Sequence, residues 1–292
     1  MKKLIVTTGI LMASLMMLNC KSSNAPAENP ESEPQTEQQR IVSLNATVSE
    51  VLAELGMNGE LVGRDATSVY PQWIKDSVQN FGPPWLIGAE ALLSVKPDIV
   101  FAVGSDLNSD KVNTLKDAGV KVVVFDKTTN LEEAKSIIKQ VSAYTKNQDY
   151  QPLIDKIDAD LAKVEAFTNK PKVLFVYARG TGLMQVAGNG TPMAEVIELA
   201  GAENAAAEFD DMKELTPESL VQSNPDVILM FDSGMNSLGG VDGLGSVPGM
   251  KETNAFKNRA LLTMDSSLLS GMGPRLGEAA YQLNQLLKAY AQ

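Results

Sequence analysis

The chain has 292 residues, with 25 Lys and Arg against 36 Asp and Glu, a single cysteine and no histidine. Without histidine there is no Ser-His-Asp or Cys-His catalytic pair, and one cysteine excludes the usual zinc and iron–sulfur ligand sets. A net charge of −11 argues against a nucleic-acid partner, because binding to phosphates needs clustered Lys and Arg.

Residues 1–19 have the pattern of a secretory signal peptide. Lys2 and Lys3 are followed by 15 uncharged residues, a stretch too short to span a bilayer comfortably. Cys20 comes at the end of this stretch and resembles the lipidation site of bacterial lipoproteins, at which acyl chains anchor the mature protein. The alternative is a plain signal peptide followed by an incidental cysteine.

Residues 20–39 are predicted to form the lipidated cysteine and a flexible tether. The segment that follows Cys20 is rich in Pro, Glu, Asn, Ser and Gln and contains no large apolar side chain. Such a segment cannot bury enough apolar surface to offset the entropy lost on ordering. We therefore expect an exported, periplasmic or cell-envelope protein that is held at a membrane by its lipid anchor.

The amino-terminal lobe is predicted at residues 40–129. It opens with a short apolar strand, which begins at Arg40, and a helix follows. Thr47 and Glu50 have the spacing of a capping box, in which each side chain bonds the backbone N–H of the other residue. Gly56 predicts the end of this helix.

The carboxy-terminal lobe is predicted at residues 168–292, because this half repeats the organisation of the first. Glu90 and Glu218 each precede a Pro-Asp pair by seven residues, and an apolar strand follows each pair. Proline ends the short helix and the buried strand begins at once. The repetition predicts an α/β fold of two similar lobes, each with a parallel sheet flanked by helices.

Residues 130–167 are predicted to connect the lobes. Apolar residues recur there at helical spacing, with no glycine and a single proline, Pro152. This pattern predicts a long helix, kinked at Pro152, that spans both lobes. Two ordinary surface helices are the alternative.

Two α/β lobes behind a signal, an acylated cysteine and a tether resemble a solute-binding protein of an ABC importer. The helical connector resembles the group that binds ferric siderophores, cobalamin and haem. The resemblance covers residues 40–292 and implies a ligand cleft between the lobes, with limited hinge motion. It also implies a transport component that performs no catalysis, with an ABC permease and its ATPase as partners through both lobes.

The segment from Gly63 to Pro71 reads Gly-Arg-Asp-Ala-Thr-Ser-Val-Tyr-Pro and resembles a motif of the haem-binding branch, whose tyrosine ligates haem iron. A phenol titrates near pH ~10 in water. Ferric iron stabilises the phenolate, and tyrosine is an established haem ligand. The resemblance therefore implies haem as the transported ligand and Tyr70 as the ligand to its iron. The alternative is a loop tyrosine that packs on its neighbours.

The resemblance implies four further ligand-binding residues. Arg64 lies in the motif, and Arg179 follows the first strand of the second lobe, where strand ends face the cleft. Arg179 is expected to pair with a haem propionate or to hydrogen-bond the tyrosinate, with a surface arginine as the alternative. Arg275 belongs to a Gly-Met-Gly-Pro-Arg segment that opens the last helix of relatives, and Met272 is expected to pack on the porphyrin or to approach the iron.

Glu90 and Glu218 have a second interpretation through the same resemblance. In the cobalamin and siderophore relatives, a glutamate at this position on each lobe docks onto arginines of the permease. The alternative is a pair of helix glutamates that face only water.

Other ligands and other protein classes stay open at this point. Trp73 and Trp85 lie close to Tyr70 in the sequence and keep cobalamin or a ferric siderophore as the alternative ligand. An enzyme that modifies tetrapyrroles and a surface adhesin or scaffold are the alternatives from other classes.

Overall fold

The computed structural model describes residues 38–104 and 106–291. The predicted signal peptide, Cys20 and nearly all of the predicted tether lie outside these residues. The strands are β1 Ile41–Ser43, β2 Leu61–Arg64, β3 Gln79–Asn80, β4 Ile99–Val103, β5 Lys121–Phe125, β6 Lys172–Ala178, β7 Met184–Ala187, β8 Glu203–Asn204, β9 Met212–Glu214, β10 Val227–Phe231 and β11 Leu261–Met264. The helices are α1 Ala46–Glu54, α2 Gln72–Ser77, α3 Ala89–Leu93, α4 Ser109–Asp117, α5 Leu131–Ser142, α6 Gln151–Leu161, α7 Pro192–Leu199, α8 Pro217–Ser223, α9 Asp232–Ser237, α10 Val241–Leu244, α11 Asn254–Lys257, α12 Ser266–Leu269 and α13 Leu276–Leu287.

The first lobe contains a parallel sheet in the order β3-β2-β1-β4-β5. All five residues of β4 are buried, because helices and their apolar side chains cover both faces of the sheet. Ile99 and Phe101 enter the core on one face, whereas Val100 and Ala102 enter the core on the other. The lobe is thus a sheet between two apolar layers, as the sequence predicts.

The second lobe has the same layered plan, but its sheet is mixed. The strand order is β11-β10-β6-β7-β9, with β8 beside β6. Strands β6, β8, β10 and β11 run parallel, whereas β7 pairs with β6 and β9 pairs with β7 in antiparallel directions. The α/β class and the two lobes are therefore confirmed, and the expectation of a purely parallel second sheet is corrected.

The connector is helical, but it contains two helices rather than one. Helix α5 ends at Ser142 and α6 begins at Gln151. In between, the Thr145 hydroxyl donates to the backbone oxygens of Ser142 and Asn147, and the Asn147 amide donates to the backbone oxygen of Leu55. These side-chain bonds replace the helical backbone pattern. The predicted kink at Pro152 is absent, because this proline is the second residue of α6, where a helix tolerates it.

The two connector helices attach to different lobes. Helix α5 packs against α1, and α6 packs against α13 of the second lobe. At position 277 a glycine permits this approach, since a Cβ there would lie 2.4 Å from the backbone oxygen of Ile157. The first backbone N–H of α5, on Leu131, donates to Glu195 of α7 at 2.9 Å. The connector therefore joins both lobes, while the exact domain bounds stay predictions.

Candidate ligand site

The motif segment forms the loop between β2 and α2. Arg64, the last residue of β2, is only 5% exposed. Its guanidinium donates to the backbone oxygens of Asp65 and Lys75, each at 3.0 Å, and thereby ties the start of the loop to α2. Both of these nitrogens bind the protein's own backbone, whereas the buried Nε has no hydrogen-bond partner among the described residues, and the contact of Arg64 with a ligand stays a prediction.

Asp65 is the centre of the hydrogen bonding that fixes this loop. It is fully buried, and it accepts from the backbone N–H groups of Thr67 at 2.9 Å and Ser68 at 3.1 Å. The hydroxyls of Thr67 and Ser68 also donate to it. The Ser68 hydroxyl lies 2.7 Å from that of Ser49 on α1. The Asp, Thr and Ser of the motif thus anchor the loop that carries Tyr70.

Tyr70 lies at the end of the anchored loop and is 38% exposed. The Tyr70–Pro71 peptide bond is cis. The guanidinium carbon of Arg275, from the second lobe, lies 3.4 Å from the centroid of the Tyr70 ring. One face of the phenol is therefore covered by a cation, and its hydroxyl makes no hydrogen bond with the residues that the structure describes. The structure thus brings Tyr70 and Arg275 together from opposite lobes.

A buried carboxylate holds Arg275 in this position. Glu50 Oε2 accepts from Arg275 Nε at 3.0 Å and from Nη2 at 2.7 Å, and both side chains are almost wholly buried. Burial raises the pKa of Glu50, and the hydrogen bond and charge of Arg275 offset only part of that rise. Burial by itself lowers the pKa of Arg275, but the hydrogen bond and charge of Glu50 outweigh it, so that this pKa lies above its ordinary value. Arg275 therefore carries its charge against the Tyr70 ring.

The predicted capping box at the start of α1 is wrong, which explains how Glu50 is available for this pair. The helix is capped by Asn45, whose side-chain oxygen accepts from the backbone N–H of Val48 at 3.2 Å. Glu50 instead bonds a residue 225 positions along the chain.

Arg179 and Met272 occupy different environments. Arg179 is exposed after β6, and its backbone N–H donates to Leu183 across the turn to β7. Its guanidinium makes no hydrogen bond or ion pair within the described residues. Met272 is 2% exposed and lines a cavity between the lobes. The roles of both side chains toward a ligand stay predictions.

The cavity between the lobes encloses about 230 Å³. The first lobe contributes residues at the carboxyl ends of β1, β4 and β5, which is the edge at which open α/β sheets bind ligands. Lys127 in this wall is not among the ligand-binding residues predicted from the sequence, although its position two residues after a predicted strand indicates the same edge of the sheet. The wall of the cavity comprises Asn45, Thr47, Val103, Lys127, Thr128, Thr129, Pro192, Ser270 and Met272.

Glu90 and Glu218 lie in corresponding places on the two lobes. Each is exposed in the first turn of a short helix, α3 and α8, which precedes a buried strand, β4 and β10. Large apolar side chains are exposed nearby: Trp85 and Leu86 before Glu90, at 66% and 73%, and Val221 after Glu218, at 52%. This duplicated acidic and apolar arrangement fits a two-sided docking surface.

Within the described residues, no helix has both the length and the apolar character required to cross a membrane.

Comparison with known proteins agrees with the architecture. Residues 41–268 match the model of the periplasmic binding protein family. The chain is 26% identical to the ABC transporter substrate-binding lipoprotein YvrC of Bacillus subtilis, over 95% of each chain. It is 24% identical to a vitamin B12-binding protein of Pectobacterium atrosepticum, over 84% of this chain and 87% of the other.

The solved structures that resemble the fold include the periplasmic haem-binding protein RhuT from Roseiflexus sp. RS-1. The two share 34% identity with a TM-score of 0.82, over 87% of this chain and 99% of RhuT. The two-lobe fold and the noncatalytic transport role expected from the sequence are thereby confirmed. The chain belongs to the periplasmic binding protein family and is the substrate-binding component of an ABC transporter.

Proposed function

We propose that this binding protein captures ferric haem through Tyr70 and delivers it to an ABC permease. The observation that carries the proposal is the contact between Tyr70 and Arg275 across the two lobes. The exposed phenol supplies an oxygen ligand for ferric iron, and the guanidinium of Arg275 supplies a positive charge against the face of its ring. The haem-binding neighbour RhuT, which shares the fold, supports haem as the ligand.

Export and anchoring complete the proposal. Cys20 accepts the lipid, and the segment up to residue 39 lets the two lobes reach the permease while they stay at the membrane. The lipoprotein YvrC, which matches over 95% of this chain, supports the anchor. Glu90 and Glu218 meet basic residues of the permease, one on each lobe.

Titration of the mature protein with hemin tests the iron ligand. The expected spectrum is that of high-spin ferric haem with a tyrosinate charge-transfer band, and Tyr70→Phe loses that band and weakens binding. Tyr281→Phe is the matched control, because Tyr281 lies on α13 and packs near Lys163 instead. If the wild type does not bind hemin, or if Tyr70→Phe binds it with an unchanged spectrum, the proposal is wrong.

Cobalamin is the second candidate ligand, and one observation favours it. The side chain of Trp85 is 66% exposed and available to an aromatic-lined ligand surface, whereas Trp73 packs on the core of the first lobe. The vitamin B12-binding relative also supports this candidate. Competition between hemin and cyanocobalamin distinguishes the two, because only the true ligand displaces the other at comparable concentration.

A further inference from the structure

The wall of the cavity between the lobes has an unusual charge for this protein. Of the described residues that line it, Lys127 alone is charged. The chain as a whole has a net charge of −11. The cavity wall, whose described residues include a lysine and no carboxylate, therefore has a charge opposite in sign to that of the chain. A cavity with this charge favours an anionic group over a neutral or cationic one.

The backbone around Lys127 directs its side chain. Its stem lies along Gly104, where a Cβ would come 3.3 Å from Lys127 Cγ and 3.5 Å from Cε. Gly104 follows β4 and has a φ of 58°, in the left-handed region that favours glycine. The stem therefore packs on the end of β4, and Lys127 forms part of the cavity wall.

The ammonium group is not neutralised by the acids near it. Lys127 also borders a second groove, which carries Asp126 and Glu133, yet it forms no ion pair with any carboxylate of the described residues. Burial raises the pKa of Asp106, and the charge of Lys127 partly offsets this rise. The two side chains are nevertheless too far apart to form an ion pair. The positive charge of Lys127 is thus available to a ligand.

Residues with neutral hydrogen-bond donors line the same cavity as Lys127. The hydroxyls of Thr47 and Thr128 line the same wall and make no hydrogen bond within the described part of the chain. The Asn45 side chain uses its oxygen to cap α1, which leaves its NH₂ group as a donor. An ammonium group with hydroxyl and amide donors matches the acceptor oxygens of a carboxylate.

The cavity adjoins the Tyr70 site. Thr47 lines the cavity, and Glu50, which holds Arg275, lies three residues along the same helix. One helical turn advances about 5.4 Å. On the other lobe Met272 lines the cavity, and Arg275 follows it by three residues. A flat macrocycle with its iron at Tyr70 would therefore lie beside the cavity whose wall includes Lys127.

We propose that Lys127 and its neighbouring donors form a carboxylate subsite that takes a propionate of the tetrapyrrole bound at Tyr70. This inference rests on the proposed function and refines it. Haem carries two free propionates, whereas the corresponding side chains of cobalamin are amides, which offer no negative charge to the ammonium group. Lys127 therefore selects a carboxylate-bearing tetrapyrrole.

Hemin and hemin dimethyl ester, in which both carboxylates are blocked, are titrated into the wild type and Lys127→Met. Methionine keeps most of the apolar stem and removes the charge. We expect Lys127→Met to weaken hemin binding about tenfold and to leave ester binding unchanged. Lys116→Met is the matched control, because it removes one exposed lysine of the same lobe, from α4, with the same change in net charge.

The outcomes separate the two proposals. Equal hemin affinity of Lys127→Met and the wild type, or an equal loss for hemin and its ester, overturns the carboxylate subsite while haem capture stands. A wild type that binds neither compound overturns the proposed function and the subsite with it. Lys127→Arg retains the charge and is expected to recover hemin affinity, and an unchanged melting temperature excludes a folding defect as the cause.

Discussion

At the scale of single residues, the site is held by a line of contacts across the two lobes. Glu50 binds Arg275, and Arg275 covers the ring of Tyr70. Glu50 Oε1 is buried and has no hydrogen-bond partner among the described residues, so that the ion pair is the main compensation for burying this carboxylate. The orientation of Arg275 against the phenol therefore depends on a residue that does not contact Tyr70 itself.

Glu50→Gln is expected to lower the free energy of unfolding by about 3–5 kcal/mol, because it leaves the Arg275 charge buried without its partner. The chemical denaturation midpoint measures this change. Glu54→Gln is the control, since Glu54 lies on the same helix but is exposed, and its effect should be within about 0.5 kcal/mol. An equal, small effect of both substitutions would show that the pair contributes no net stability.

The residues of the site differ in how far the sequence could predict them. The segment from Gly63 to Pro71 predicts Tyr70 as a site residue from local sequence alone, and the structure places Tyr70 against Arg275 of the other lobe. The same segment predicts a ligand contact for Arg64, and it does not reveal that the Arg64 guanidinium also binds backbone oxygens. The spacing of Thr47 and Glu50 predicts a local cap, because residue spacing within one helix gives no information about Arg275, a partner 225 residues away.

At the scale of elements, the sequence pattern predicts the parallel strands. It does not predict the two antiparallel strands of the second sheet or the break between the two connector helices. The buried strands β4 and β10 follow Pro-Asp pairs and were predicted from them. Strand β7 folds back on β6 across a short turn, and β9 then pairs with β7. The described strands of the first sheet are all parallel, so that the repeat between the two halves does not predict these two. The continuous apolar spacing of the connector predicts one helix. In the structure, side-chain hydrogen bonds of Thr145 and Asn147 to backbone oxygens interrupt the helical hydrogen-bond pattern between α5 and α6.

The loop that carries Tyr70 is an element whose order depends on Asp65. Asp65→Asn replaces one acceptor oxygen by an NH₂ group, which faces the N–H and hydroxyl donors of Thr67 and Ser68. We expect the free energy of unfolding to fall by about 2–4 kcal/mol. Hemin affinity should fall as well, because Tyr70 is then less firmly placed.

Thermal unfolding and hemin titration of Asp65→Asn measure the two effects. Asp76→Asn, on the exposed side of α2, is the control and should change stability by no more than about 0.5 kcal/mol. A stable Asp65→Asn with the wild-type affinity would contradict the anchoring role of Asp65.

At the scale of the whole molecule, three links restrain the lobes relative to each other. The Glu50–Arg275 ion pair joins them at the site, Glu195 accepts from the start of α5, and α6 packs against α13. Such links favour small movements about the connector over wide opening. Small movements would leave the separation of Glu90 and Glu218 nearly unchanged, as the proposed docking onto two basic sites of a permease requires.

The double substitution Glu90→Lys with Glu218→Lys tests this recognition. Both side chains are exposed, so that hemin affinity and the melting temperature should be close to those of the wild type. Two lysines facing basic sites repel them, and stimulation of the permease ATPase in reconstituted vesicles should fall by about tenfold or more. The control is Glu54→Lys with Glu198→Lys, which makes the same change in charge on exposed helix residues, one in each lobe. If the control and the test variant stimulate the ATPase equally, Glu90 and Glu218 do not form the docking surface, and the permease recognises another face of the protein.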